Sequence, residues 1–207
     1  LKTYNVGGFE VEFLNQPLQP RDVLGFYGNK MLEVYTKDRS RYYENWGARD
    51  ILKEYFLGGA DWISMPPPEL NKKTYQEYYE NSEVLFHNAN LIKCGKDIFH
   101  SQSNQKDPVK GKGTEQGLHW FKEQLPEFRF NEIPVGGHAD GKVALIKPGL
   151  LVTWKKAWIP EKLKSWDCII TEAGTKFPED FKQTRKQHFY KNYICLLYTS
   201  PSPRDIS

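Results

Sequence analysis

Apolar and polar residues alternate in short runs along most of this chain, and the runs fall in a repeating order. "FEVEF" (9–13) has the two-residue period of a half-buried strand. "VLGFY" and "KMLEVY" flank Gly28-Asn29, which predicts a hairpin over 23–35. From Ser40 the period lengthens: Tyr43, Trp46, Ile51, Tyr55 and Phe56 recur at roughly helical spacing until Gly58-Gly59. That pattern predicts a helix whose aromatic stripe packs into the core. "DWISM" then predicts a short strand, stopped by the prolines at 66–68.

The order returns twice. "NLIKC" and "DIFHSQ" form a second hairpin around Gly95-Lys96, and "TEQGLHWFKEQL" (114–125) is helical behind a Thr cap. Leu118, Phe121 and Leu125 share one face of that helix, and "EFRFNEI" is again extended. In the third round "KVALI" and "LLVTW" surround Pro148-Gly149, "PEKLKSW" predicts a short helix, and "DCIIT" a strand. Hairpin, helix and strand thus recur without residue-level identity between rounds. One supersecondary unit in regular recurrence marks a radial or stacked α/β architecture, in which each unit buries its apolar face against its neighbours.

Composition narrows the class. The 207 residues are enough for a core, and 14% of them are aromatic. The mean hydropathy of −0.69 is that of a soluble chain. The net charge of +3 comes from interleaved Lys, Arg, Asp and Glu, which is the pattern of a solvated surface and argues against a nucleic-acid partner. No apolar run reaches membrane-spanning length, so no membrane partner is expected, and no targeting segment is visible at the first residues. Cys94, Cys168 and Cys195 are odd in number and widely spaced; this points to a reducing, cytoplasmic setting and away from a disulfide framework or a metal site. Cys94, inside an apolar strand, reads as packing, and no role falls to His100, His119 or His188. From 195 onward, "CLLYTSPSPRDIS" turns abruptly to Ser and Pro and resembles translated sequencing-adapter read-through. The expected division is one partial domain over 1–194 and a non-native tail over 195–207.

The candidate chemistry sits just before the first strand of each hairpin. "PRD" (20–22), "FHNAN" (86–90) and "HAD" (138–140) occupy equivalent places, and in a radial repeat such positions converge on one end of the axis. Asp22, His87, Asn88, Asn90, His138 and Asp140 would then share a pocket. Two carboxylates suit a guanidinium, whose planar fork of N–H groups matches carboxylate oxygens. A histidine between them could move a proton to or from a departing amine.

These residues carry a resemblance. "QPRDVLGFYGNKMLEVYTKDRSRYYENWGARDILKEYFLGGADWISMPPP", "ANLIKCGKDIF" and "HADGKVALIKPGLLV" are similar, in order over about 18–172, to the glycine and inosamine-phosphate amidinotransferase group. The resemblance implies a pentein-type α/β propeller of ββαβ blades, of which this chain would hold an incomplete set. It implies transfer of the amidino group of arginine to an amine acceptor such as glycine, the chemistry of creatine biosynthesis, through an amidino-Cys intermediate and without cofactor or metal. A homodimer is possible in the parent, and a mitochondrial location if that parent is eukaryotic. Asp22 and Asp140 would bind the guanidinium and His138 would act as general acid and base.

Three departures stand out. Where the family has "FDAAD", this chain has "FHNAN", so His87 replaces the Asp that orients and charges the catalytic His. An imidazole supplies no fixed negative charge. The family Arg for the substrate carboxylate aligns near Ala157, with Lys155 and Lys156 as substitutes that lack the bidentate fork. The nucleophilic Cys is expected outside this stretch, so the fragment itself would be inactive. The rival readings are a guanidine hydrolase of the arginine deiminase type and a non-catalytic binder of guanidino compounds.

Overall fold

The computed structural model describes residues 2–6, 9–13, 20–69, 82–102 and 113–171, the first two segments by their backbone alone. The expected tail at 195–207 lies outside these residues, as does Cys195. The chain divides into two compact units, one formed by 1–90 with 103–128 and the other by 91–102 with 129–207.

One architectural unit is used three times. An antiparallel hairpin is followed by a crossover, and the next strand lies parallel to the hairpin's second strand. In the first unit, β3 (Leu24–Tyr27) pairs antiparallel with β4 (Lys30–Glu33), which pairs parallel with β5 (Asp61–Ser64) across helix α1 (Arg49–Leu57). A separate ribbon of β1 (Lys2–Val6) and β2 (Phe9–Phe13) precedes them. In the second unit, β6 (Leu91–Cys94), β7 (Asp97–Gln102) and β8 (Arg129–Gly136) repeat the order. So do β9 (Val143–Lys147), β10 (Leu150–Thr153) and β11 (Asp167–Ile170). All three hairpins turn on a glycine of positive φ, at Gly28, Gly95 and Gly149, a conformation that costs a side-chain-bearing residue about 1 kcal/mol or more.

The middle strand of each sheet is covered on both faces, so two successive residues in it are apolar and buried without alternation. Met31 and Leu32 of β4 are fully buried, as are Ile98 and Phe99 of β7 and Leu151 and Val152 of β10. In the first unit Val23, Leu24, Met31 and Leu52 form one cluster. Tyr27, Phe86 and Phe121 form another, with ring centroids 5.4–6.3 Å apart in edge-on arrangements. The core of the second unit is Phe99, Ile133, Val135, Ala139, Leu151 and Leu163.

Helix α2 (Glu115–Gln124) carries Phe121 into the first unit, and its start is fixed by the cap expected from sequence. The Thr114 hydroxyl accepts from the Gly117 N–H at 3.0 Å and from the Leu85 N–H at 3.2 Å, and lies 2.7 Å from the Glu83 carbonyl. Because this side chain is buried, its removal strands two amide donors at once. Thr114→Ala is expected to lower the unfolding free energy by about 2 kcal/mol, the upper end for a cap, in chemical denaturation. A loss below about 0.5 kcal/mol would show that the cap does not hold this helix start.

Three expectations need correcting. The segment from Ser40 is not one helix: 39–41 and 44–48 are 3-10 turns, and the α-helix begins at Arg49. Its aromatic stripe is not core either. Tyr43 and Leu52 are buried, but Trp46, Ile51, Tyr55 and Phe56 are each more than half exposed. Four-residue strands place only two side chains on each face, so the sheet beneath α1 buries Leu52 and leaves the last turn uncovered. The third crossover forms two 3-10 turns, 156–158 and 161–163, in place of the short helix.

In the second unit a polar node ties this crossover to the sheet. The Asp97 carboxylate accepts from Arg129 through two N–H groups, at 2.7 and 3.1 Å, from Asn131 at 3.0 Å and from Lys162 at 2.9 Å. The Arg129 hydrogen bonds above all hold its pKa well below the usual carboxylate range. A depressed folded-state pKa contributes stability above the unfolded value of about 3.9, lost as the pH falls through the folded one. Asp97→Asn is expected to cost about 1 kcal/mol at pH 7, given its exposed partners, with the gap to wild type closing below about pH 4. A gap that persists in acid would assign the effect to packing instead.

Candidate active site

The expected site residues divide between the two units: Asp22 and His87 fall in the first, and His138, Asp140, Lys155 and Lys156 in the second.

In the first unit, Asp22 ends a 3-10 turn, 20–22, that delivers the chain into β3, and it is only 3% exposed. A second turn, 88–90, lies against it and is held there by Asn88. The Asn88 amide donates to the Arg21 and Leu24 carbonyls at 2.8 and 3.0 Å, and its oxygen accepts from the Tyr27 hydroxyl at 2.7 Å. Gly25 lets this amide approach, since a Cβ there would meet the Asn88 oxygen at 2.6 Å. Asn88 therefore acts as a clamp between the "PRD" and "FHNAN" turns.

The clamp sets His87 beside Asp22, with His87 Nδ1 3.8 Å from Asp22 Oδ1. Between them reaches a residue the sequence reading missed. Arg41 donates from Nη1 to Asp22 Oδ2 at 3.0 Å and has the same Nη1 2.8 Å from His87 Nε2. Its Nε and Nη2 form a bidentate pair with Glu44, at 2.8 and 2.6 Å. Burial works against the charge of Arg41, yet the Glu44 and Asp22 contacts outweigh it and leave its pKa raised. Burial likewise pushes the Glu44 carboxyl up, and Arg41 only partly offsets this. The signal available in sequence was the pair Arg41 and Glu44, three residues apart, but in a charge-rich segment it looks like an exposed helix-surface pair.

In the second unit, Gly137 has φ +73 and turns the chain so that half-buried His138 and buried Asp140 precede β9. The Lys142 and Val143 N–H groups both donate to the Ala139 carbonyl at 3.0 Å, which closes the turn. The Lys142 ammonium donates to the Gly136 carbonyl and lies 5.6 Å from the centroid of the Trp158 ring. Burial lowers its pKa, with Asp140 acting the other way. Lys155 and Lys156 are exposed, and the Lys155 ammonium sits 5.4 Å from the same Trp158 centroid. Cation–π contact of this kind attracts a lysine head to the ring by about 0.5–1 kcal/mol at an exposed site. Burial raises the thiol pKa of both Cys94 and Cys168, which is the opposite of an activated nucleophile.

No protein-family profile matches the chain. A solved amidinotransferase from Microseira wollei, SxtG of the saxitoxin biosynthetic pathway, superposes with a TM-score of 0.61 at 30% identity, over 74% of this chain and 48% of that one. DDAH from Pseudomonas aeruginosa, solved with citrulline, superposes with a TM-score of 0.54 at 9% identity over 75% of this chain, a likeness of fold alone. The repeated unit is thus that of the pentein α/β fold. The L-arginine:L-lysine amidinotransferase of Pseudomonas savastanoi pv. phaseolicola is 31% identical over 172 residues, covering 72% of this chain and 45% of the relative. The chain belongs to the amidinotransferase family. It spans about half the length of the curated relatives it matches. Among the described residues no helix is long and apolar enough to cross a membrane.

Proposed function

We propose that this chain carries the guanidinium-recognising part of an enzyme that transfers the amidino group of arginine to an amine acceptor such as glycine. The observation that carries the reading is chemical. Asp22 is a buried carboxylate in a strand-entry turn, and it already accepts from a guanidinium, that of Arg41, at 3.0 Å. The 31% identity to an arginine:lysine amidinotransferase supports the same chemistry.

In this reading Asp22 pairs with a guanidinium in the first unit, while in the second unit Asp140 is assigned as a guanidinium carboxylate and His138 as the residue that moves the proton of a departing amine. Lys155 and Lys156 receive the substrate carboxylate as point charges. The covalent step needs a thiolate, and the raised thiol pKa of Cys94 and Cys168 makes neither a candidate. Among the described residues no cysteine is therefore a candidate nucleophile, and transfer is assigned to the whole protein and recognition of arginine to this chain.

The test is a calorimetric titration with L-arginine. Loss of a charge-assisted hydrogen bond is worth about 1.5–3 kcal/mol, so Asp22→Asn is expected to weaken binding about 10- to 100-fold. Arginine that binds equally well to the variant would overturn the role of Asp22.

A further inference from the structure

Arg41 spends four of its five N–H groups inside the first unit: two on Glu44, one on Asp22 and one on His87. A guanidinium has no lone pair to offer, so in the 2.8 Å contact it is the donor and His87 Nε2 the acceptor. A ring nitrogen that accepts carries no proton. The His87 imidazole is then neutral, and its one N–H is at Nδ1, on the side of Asp22 Oδ1.

We infer that Arg41 is a positioning residue: it holds Asp22 in place and locks His87 as the neutral Nδ1–H tautomer. The histidine therefore has a defined protonation state beside Asp22. This role does not depend on the proposed reading of Asp22 as a guanidinium carboxylate.

Long-range proton–nitrogen correlation spectra of the nitrogen-labelled full chain test this directly, with the His87 signals identified by their loss in His87→Gln. The expected result is a single tautomer with Nδ1 protonated and Nε2 bare. A ring protonated at Nε2, alone or together with Nδ1 at neutral pH, would overturn the inference. In Arg41→Ala the single-tautomer pattern is expected to be lost, and methylguanidinium, which restores a planar fork, is expected to bring it back where methylammonium does not. An unchanged pattern in the variant, or equal rescue by both cations, would remove Arg41 from the role. If Arg41→Ala does not fold unaided, Arg41→Lys keeps a charge but cannot reach all three partners at once, and is expected to show mixed tautomers. A single Nδ1–H tautomer there would also refute the assignment. Arginine titration of the wild type separates the two ideas: a locked His87 without arginine binding leaves the role of Arg41 standing and removes the proposed substrate.

Discussion

Arg41→Ala is expected to lower the unfolding free energy by about 3–5 kcal/mol at neutral pH, a large share of the 5–15 kcal/mol typical of a domain. The side chain is 15% exposed and faces Asp22 and Glu44, whose side chains are 4% and 11% exposed. Removing it strands both carboxylates away from water without a counter-charge. The deficit should depend on pH in a definite direction. Glu44 already has a raised pKa, and Arg41 is the one influence holding it down against burial, Asp22 and Asp38. Without Arg41 the folded-state pKa rises further above the unfolded value, so the charged form destabilises the fold above that value and the penalty fades as protons bind. Denaturation of wild type and variant between pH 7 and 5 should show the gap narrowing on acidification. A gap constant across that range would mean that lost packing, not stranded charge, is the cause.

Gly117→Ala is expected to be nearly as damaging, by about 3 kcal/mol, for a purely steric reason. In the first turn of α2, an added Cβ would fall well inside van der Waals contact of the Leu85 carbonyl and close to the Phe86 Cβ. Backbone cannot move aside as a flexible side-chain tip does, so the helix start must lift. The Gly117 N–H is one that Thr114 caps, which means the same shift also breaks the cap. In an exposed helix interior alanine is preferred to glycine by about 1 kcal/mol, so the sign of the change is diagnostic. A thermal midpoint equal to or above that of the wild type would show that α2 does not approach Leu85 this closely.

How much was legible in the sequence differs between the backbone and the site. The hairpins were readable because each joins two short apolar-rich runs across a two-residue turn with glycine in the left-handed region, a purely local signal. Helix α2 was readable for the same reason, from Thr114 and the spacing of Phe121 and Leu125. The aromatic run from Tyr43 to Phe56 misled because helical spacing was extended across a change from 3-10 turns to α-helix, which breaks the phase. Burial also depends on how much sheet lies beneath, and four-residue strands cover little. Among the candidate residues, Asp22, His138 and Asp140 were singled out by residue type and position before a strand, and the roles proposed for them come from the family resemblance. Arg41 and Glu44 could not be, since a charged pair three residues apart has the same appearance whether solvated or buried. Only the tertiary fold brings Asp22 and His87 to it.

The third crossover, 154–166, has a consequence for how such a chain diversifies. An α-helix imposes a phase, and each inserted or deleted residue rotates everything beyond it by roughly 100°. Short 3-10 turns, each closed by its own bond such as Trp158 N–H to the Lys155 carbonyl or Leu163 N–H to the Pro160 carbonyl, impose none. Lys155 and Lys156 sit in this segment, while the β9–β10–β11 pairing it connects is fixed by strand register alone. Substitutions can therefore accumulate at the two exposed lysines without repacking the sheet, while Lys162 and Leu163 further along stay tied to the sheet and its core. It is the part of this chain where a new preference for the far end of a substrate could arise with the fewest compensating changes.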